Sequence, residues 1–257
     1  MSNDLVLHER HGSAVLLTLN QGARRNVLSA ALVDAVGAAY DAIEADPSVN
    51  AVVLTGAGPA FCAGAELSVL RAAAEENFDV VRNVYDGFLR VLRSPVPTIA
   101  AVNGPAVGAG FNLTLACDIR LAGRSAVFDT RFAKLRLHPG GGHAWLLARA
   151  VGRQQAMLAT AFGEVWDAQQ AKDVGLVASV HDDQELVGAA LAIAQRMDGQ
   201  ESAFTRRLVD TVRRSLVTAT HEEALAHETE AQAWSTKRPP FLEGLEAMEK
   251  KIARAKS

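Results

Sequence analysis

The apolar positions of this chain repeat with two different periods, and the change of period marks its elements. Leu5-Val6-Leu7-His8-Glu9-Arg10 and Ala14-Val15-Leu16-Leu17-Thr18-Leu19 flank His11-Gly12-Ser13, a spacing that predicts a β-hairpin. From Ser29 to Asp46 the period lengthens: Leu32, Val36, Ala39 and Ile43 form one helical stripe, Ser29 is a good N-cap, and Asp46-Pro47 stops the helix. Ala51 to Thr55 is a strand. Leu67 to Glu76 is alanine-rich and less patterned, and is expected to be mobile. Phe78, Val81, Tyr85, Phe88 and Leu92 return to helical spacing, ended by Ser94-Pro95-Val96-Pro97. Ile99 to Val102 reads as a buried strand, Asn103-Gly104-Pro105 as a turn, and Gly108-Ala109-Gly110 as the opening of an apolar helix through Leu113 and Ala116.

Further on, Trp145 to Val151 and Gln154 to Ala161 read as helices separated at Gly152. Phe162 to Trp166 reads as a turn, and Gly175 to Val180 as the last strand. From Asp183 onward the pattern is helical. Leu186, Ala190, Ile193 and Met197 make one stripe and Phe204, Leu208, Val212 and Leu216 another, with further helices over Ala224 to Trp234 and Phe241 to Ala253.

Composition narrows the class. The 257 residues, 49% of them hydrophobic, suit one large α/β domain or a core with an appendage. A net charge of −3 gives no basis for nucleic-acid binding or for an anionic membrane surface. Cys62 and Cys117 make neither a disulfide framework nor a metal-ligand cluster. Met1-Ser2-Asn3-Asp4 has no basic or apolar leader pattern, and no apolar run approaches the ~20 residues of a membrane span. A soluble, cytoplasmic protein with no metal and no resident cofactor is expected.

Two segments carry candidate chemistry. In Thr98 to Arg120 a strand runs into a glycine turn and a helix start, where free N–H groups and the helix dipole can bind a developing oxyanion. In Val52 to Leu67 a β-branched strand again enters a glycine-rich turn, Gly56-Ala57-Gly58-Pro59 and then Ala63-Gly64-Ala65. Small residues at both turns let another molecule approach the backbone.

Phe61-Cys62-Ala63-Gly64-Ala65-Glu66-Leu67 followed by Asn103-Gly104-Pro105-Ala106-Val107-Gly108-Ala109-Gly110 resembles the crotonase (enoyl-CoA hydratase/isomerase) superfamily. The resemblance continues through Cys117-Asp118-Ile119-Arg120-Leu121-Ala122, Pro139-Gly140-Gly141-Gly142 and Ala168 to Val177, and so covers nearly the whole chain. It implies an α/β crotonase (ClpP-like) fold: a spiral of ββα units over residues 1–195, then a C-terminal helical region over 196–257 that associates into homotrimers or hexamers. It implies an acyl-CoA thioester as ligand, CoA being part of the substrate. The N–H groups of Ala65 and Ala109 match the family's oxyanion hole, with Ala63 and Gly108 beside them at the thioester. Arg24 and Arg25 fall in the loop beside the CoA adenine and phosphates, where guanidinium geometry suits phosphate; the alternative is two solvated arginines. Trp234 and Lys251 fall roughly where a neighbouring subunit reaches the CoA.

Two departures bear on the reaction. The family's hydratases hold one water between two carboxylates, and the matching positions here are Asn112 and Phe132. An amide can orient water; a phenyl ring cannot. His138, before Pro139-Gly140-Gly141-Gly142, is the first titratable candidate to replace them, with His143 weaker because it can sit one turn into a helix. Asp129 can face the pocket or pair with Arg131 or Arg136, and Glu164 is a minor alternative carboxylate or a solvated turn residue. Cys62 has no paired base and reads as a small buried hydrophobe. The resemblance therefore implies a hydratase/isomerase-type enzyme with its own acid–base set or, in a different class, a catalytically weak acyl-CoA carrier or sensor.

Overall fold

The computed structural model describes residues 4–75 and 79–255. Glu76 and Phe78, which the sequence patterns include, lie outside the described residues. The chain divides into two compact units at Gln200/Glu201.

The first unit begins with the expected hairpin, β1 (Val6–His11) and β2 (Ala14–Leu19), paired antiparallel. After it comes α1 (Ala30–Ala45), whose first turn is capped by Ser29 Oγ accepting from Leu32 N at 3.3 Å. Then β3 (Ala51–Gly56) pairs parallel with β2. Leu67–Glu75, the alanine-rich segment to which the weak pattern assigned no element, is a helix, α2. Its alanines carry high helix propensity, which a search for an apolar stripe does not register. Helix α3 (Asp79–Arg93) and strand β4 (Thr98–Val102) follow as read.

The turn at Asn103-Gly104 leads directly into a short strand, β5 (Pro105–Val107), and then α4 (Ala109–Ala116). Next come β6 (Ile119–Gly123), β7 (Val127–Asp129) and α5 (His143–Ala161). Gly152, at φ 76° and ψ 165°, breaks the helical path inside α5, where the two expected helices separate. The turn read at Phe162 to Trp166 ends in a strand, β8 (Val165–Asp167), before α6 (Ala168–Asp173). The last strand, β9 (Ser179–His181), starts later than Gly175. Gly175 is left-handed at φ 79°, and Leu176 and Val177 donate back to Ala171 O at 2.8 and 3.2 Å, so these residues close α6 instead. Helix α7 (Leu186–Ala194) and a 3-10 turn over Gln195–Met197 complete the unit. It extends past residue 195 because Asn50 Nδ2 donates to Gln200 O at 2.8 Å and Asp198 Oδ1 accepts from Ser13 N at 2.8 Å.

Six strands form one sheet in the order β1-β2-β3-β4-β6-β9, parallel after the first pair, and β5-β7-β8 form a second. The side-chain alternation of the buried strands builds two cores. Leu17, Leu19, Val52, Leu54 and Val102 pack with α1, α3 and α4; Leu16, Ala51, Val53, Ile99 and Ala101 pack beneath Leu186, Ala190 and Ala194 of α7.

The second unit holds α8 (Ser202–Ser215), α9 (His221–Ser235) and α10 (Pro239–Ala255). Pro239 opens α10, where its missing N–H removes no helical bond. The guanidinium groups of Arg207 and Arg238 lie 4.9 and 4.6 Å from the ring centre of Trp234. Lys251 is exposed on α10. No helix of the described residues is long and apolar enough to cross a membrane.

Candidate active site

Two backbone segments run side by side and form one wall of a cavity of about 830 Å³. Cys62 N donates to Pro105 O at 3.2 Å and Val107 N to Cys62 O at 3.0 Å, a parallel bridge between Cys62 and Ala106. The contact requires glycine: a Cβ on Gly110 would lie 2.0 Å from Cys62 O, and one on Gly64, at φ +100°, would lie 2.7 Å from Val107 O.

An account of the backbone donors shows what the pairing leaves over. Ala63 N is taken by Arg25 O at 2.9 Å, Gly108 N by Asp129 O at 2.9 Å and Asn112 N by Gly108 O at 3.0 Å; Gly64 O accepts from Leu28 N at 2.8 Å. The N–H groups of Ala65 and Ala109 have no acceptor among the described residues. Both residues line the cavity, and Ala109 opens α4, where the first-turn donors are free by construction.

One buried side chain, which the sequence did not single out, holds the first segment in place. Asn26 has φ 53° and is wholly buried. Its Nδ2 donates to Ala57 O at 3.0 Å, Ala60 O at 2.9 Å and Phe61 O at 3.1 Å, and its Oδ1 accepts from Gln21 N at 2.9 Å. The only hint in the sequence is an asparagine in a loop, a residue type that tolerates the left-handed region.

Asn112 lines the cavity from α4 and is 2% exposed. Its Nδ2 donates to Gly140 O at 3.2 Å, which turns Oδ1 toward His143 Nδ1 at 2.6 Å. Oδ1 can only accept, so Nδ1 carries the imidazole proton and Nε2 the lone pair. His143 opens α5 and is 1% exposed, edge-on to Phe132 at 5.1 Å and to Phe111 at 5.7 Å. Its Nε2 is buried without a partner among the described residues, and burial lowers the imidazole pKa to about 4. At neutral pH the Asn112–His143 pair is therefore uncharged. His143 does not line the cavity; it fixes the amide that does.

His138 lies on the exposed side of the cavity, with Nδ1 2.8 Å from Pro139 O. In the neutral ring that contact takes the Nδ1 proton and leaves Nε2 as the basic nitrogen. Phe132 lines the cavity as well. The carboxylate of Asp129 is 5% exposed and engaged elsewhere: it accepts from Arg131 N at 2.7 Å and pairs with Arg131 Nη2 at 2.8 Å and Lys134 Nζ at 3.4 Å. Glu164 accepts from Trp166 Nε1 at 3.2 Å and does not line the cavity. Cys62 is fully buried, its thiol pushed up to about 12 by burial, as its reading as a small hydrophobe requires.

The two candidate arginines are used differently. Arg24 lines the cavity and is ion-paired with Glu66. Arg25 is exposed, left-handed at φ 53° and absent from the cavity lining; its contribution to the site is the carbonyl that holds Ala63 N–H.

Known proteins resemble this chain over nearly its whole length. A family model for enoyl-CoA hydratase/isomerase matches residues 9–256. The chain is 43% identical over 250 residues, 95% of its length and 97% of the relative's, to a Mycobacterium tuberculosis protein named probable enoyl-CoA hydratase EchA14. It is 32% identical over 249 residues, 95% of both chains, to 1,2-epoxyphenylacetyl-CoA isomerase of Escherichia coli. A crystal structure of an enoyl-CoA hydratase from Polaromonas sp. JS666 superimposes with a TM-score of 0.88 at 31% identity, over 96% of this chain and 97% of that one. The chain has the crotonase fold and belongs to the enoyl-CoA hydratase/isomerase family.

Proposed function

We propose that the cavity takes the acyl end of a coenzyme A thioester and that Ala65 and Ala109 donate their N–H groups to the thioester oxygen. The observation that carries this reading is the pair of unpartnered donors on one cavity wall. Two such donors stabilise an enolate more than the ketone-like ground state, because the charge they face exists only after the α-proton leaves. Ala63 and Gly108 flank the donors with backbone alone, and Arg24 stands at the same cavity as a cation for a CoA phosphate.

The acid–base set is not a pair of carboxylates. Asn112, held by Gly140 O and His143, presents an uncharged amide able to orient a water, and His138 Nε2 is the basic nitrogen of the lining. The second unit serves self-association into a trimer or hexamer, a role supported by exposed Leu208 and Val212 on α8, Leu216 at its C-cap, and Leu245, Met248 and Ile252 on α10. Lys251 stays a candidate CoA contact between subunits.

The test is a paired assay on the purified protein: acyl-CoA binding by calorimetry, and loss of enoyl absorbance with short and medium enoyl-CoA esters. Turnover that falls on His138→Ala supports the enzyme reading; full turnover in that variant removes His138 from the mechanism. Binding without turnover of any ester assigns the protein to the carrier or sensor class, which Asn112 and Phe132 at the carboxylate positions would favour.

A further inference from the structure

Besides the glycine-rich turns, the cavity is lined by a group of apolar side chains. Leu70, Val81, Val84, Phe132 and Leu137 line it, and Tyr85 of α3 stands among them. The Tyr85 ring packs on Phe88 with centres 5.8 Å apart, which fixes where the hydroxyl points. That hydroxyl lies against Gly140: a Cβ there would fall 2.1 Å from Tyr85 Oη. Gly140 is also the residue whose carbonyl accepts from Asn112 Nδ2 at 3.2 Å. One glycine thus joins two uncharged polar side-chain groups of the lining, the Tyr85 phenol and the Asn112 amide.

The Tyr85 hydroxyl has no hydrogen-bond partner among the described residues. Burial raises its pKa, so the phenol keeps its proton and acts as a donor throughout the working pH range. A saturated acyl chain filling the cavity would strip water from this hydroxyl and offer nothing in return, which is unfavourable for a desolvated donor. An acyl group carrying an oxygen of its own would satisfy it.

We infer that Tyr85 is a specificity-determining residue of this cavity, its hydroxyl donating a hydrogen bond to a hydroxyl or carbonyl oxygen borne on the acyl chain beyond the thioester. The inference rests on the reading of the cavity as an acyl thioester site. It makes oxygenated acyl thioesters the preferred ligand class, and it assigns to α3 a polar function that its helical apolar spacing conceals.

The experiment is calorimetric titration of the full chain, wild type and Tyr85→Phe, with hexanoyl-CoA and a series of hexanoyl-CoA esters bearing one hydroxyl group at successive carbons. The readout is the affinity ratio of each hydroxylated ester to the parent. For wild type, one position in the series should bind roughly five- to tenfold tighter than the parent, the worth of a neutral hydrogen bond made in a desolvated site. In Tyr85→Phe, which keeps the ring against Phe88, that ratio should fall to about one. A wild type that binds hexanoyl-CoA but prefers no hydroxylated ester, or a preference that survives in Tyr85→Phe, overturns the inference while leaving the thioester reading standing. A wild type that binds none of the esters, the parent included, overturns the thioester reading itself.

Discussion

Replacing His143 by Phe separates two costs that the structure sets against each other. The phenyl ring keeps the edge contacts to Phe111 and Phe132 and removes both ring nitrogens. Loss of Nδ1 leaves Asn112 Oδ1 without its 2.6 Å donor, a penalty of about 1–3 kcal/mol for a buried acceptor. Loss of Nε2 removes a buried nitrogen that has no partner among the described residues, a gain of similar size. At pH 7 the two nearly cancel, and the variant should match wild type within about 1 kcal/mol.

Acid breaks that balance. The imidazole pKa falls from 6.5 to about 4 on burial, so between these values the unfolded chain binds a proton that the folded chain refuses. A depressed folded-state pKa means stability that is present above the unfolded value and lost as pH falls toward the folded one. At about 1.4 kcal/mol per pKa unit, this residue alone costs wild type about 3 kcal/mol between pH 7 and pH 4. His143→Phe lacks the titration and should overtake wild type by that amount at pH 4. Urea unfolding of both proteins at a series of pH values, followed by far-ultraviolet circular dichroism, measures the difference, and contributions of the other groups cancel in it. A wild-type-minus-variant difference that stays flat from pH 7 to pH 4 would refute a neutral, desolvated His143.

Three further perturbations probe the site and its frame. Gly64→Ala places a methyl group 2.7 Å from Val107 O at φ +100° and should push Ala65 N–H off its line, lowering kcat/KM by roughly 10²–10³ if turnover is found, the usual cost of a lost oxyanion donor. Tyr40→Phe removes the buried bond between Tyr40 Oη and Thr98 Oγ1 at 3.0 Å, and thermal unfolding should show a loss of about 1–2 kcal/mol with acyl-CoA affinity unchanged. Asn112→Glu puts an acid into a neutral, largely aromatic setting and removes the donor to Gly140 O; hydration of short enoyl-CoA esters should not rise, and a clear rise would mean that one carboxylate suffices.

What was legible in the sequence follows from what each residue does. The hairpin, α1, β3, α3 and the strand–turn–helix around Gly108 declare themselves because burial imposes a period on their side chains. The strands β5, β7 and β8 are three residues each, too short for any period to show. Helix α2 depends on propensity rather than an apolar stripe, so the pattern assigned it no element. At the site, the two turns were visible through their glycines, since Gly64 and Gly110 sit where no Cβ fits, and it was the family resemblance that singled out Ala65 and Ala109 within them. The roles of Asn26 and His143 were not visible. Each acts through hydrogen bonds to residues distant in sequence, Asn26 with the loop 57–61 and His143 with Asn112, and nothing local distinguishes such an asparagine or histidine from one in solvent.

Asn112 and Phe132 have a common electrostatic consequence. A carboxylate at residue 112 would need a cation or several donors to hold its charge in a buried setting. The groups around Asn112 are Gly140 O, which repels negative charge, the imidazole of His143, which burial keeps neutral, and the rings of Phe111 and Phe132 packed on that imidazole. Asp129 cannot supply the missing charge, because Arg131 and Lys134 hold its carboxylate. Asn112, His143 and Phe132 are therefore mutually consistent: none of them carries charge at neutral pH into a place where the others leave nothing to balance it. The carboxylate that does line the cavity beside Ala65, that of Glu66, is paired with Arg24, so a negative charge developing in front of the unpaired N–H groups of Ala65 and Ala109 would meet no uncompensated anion there.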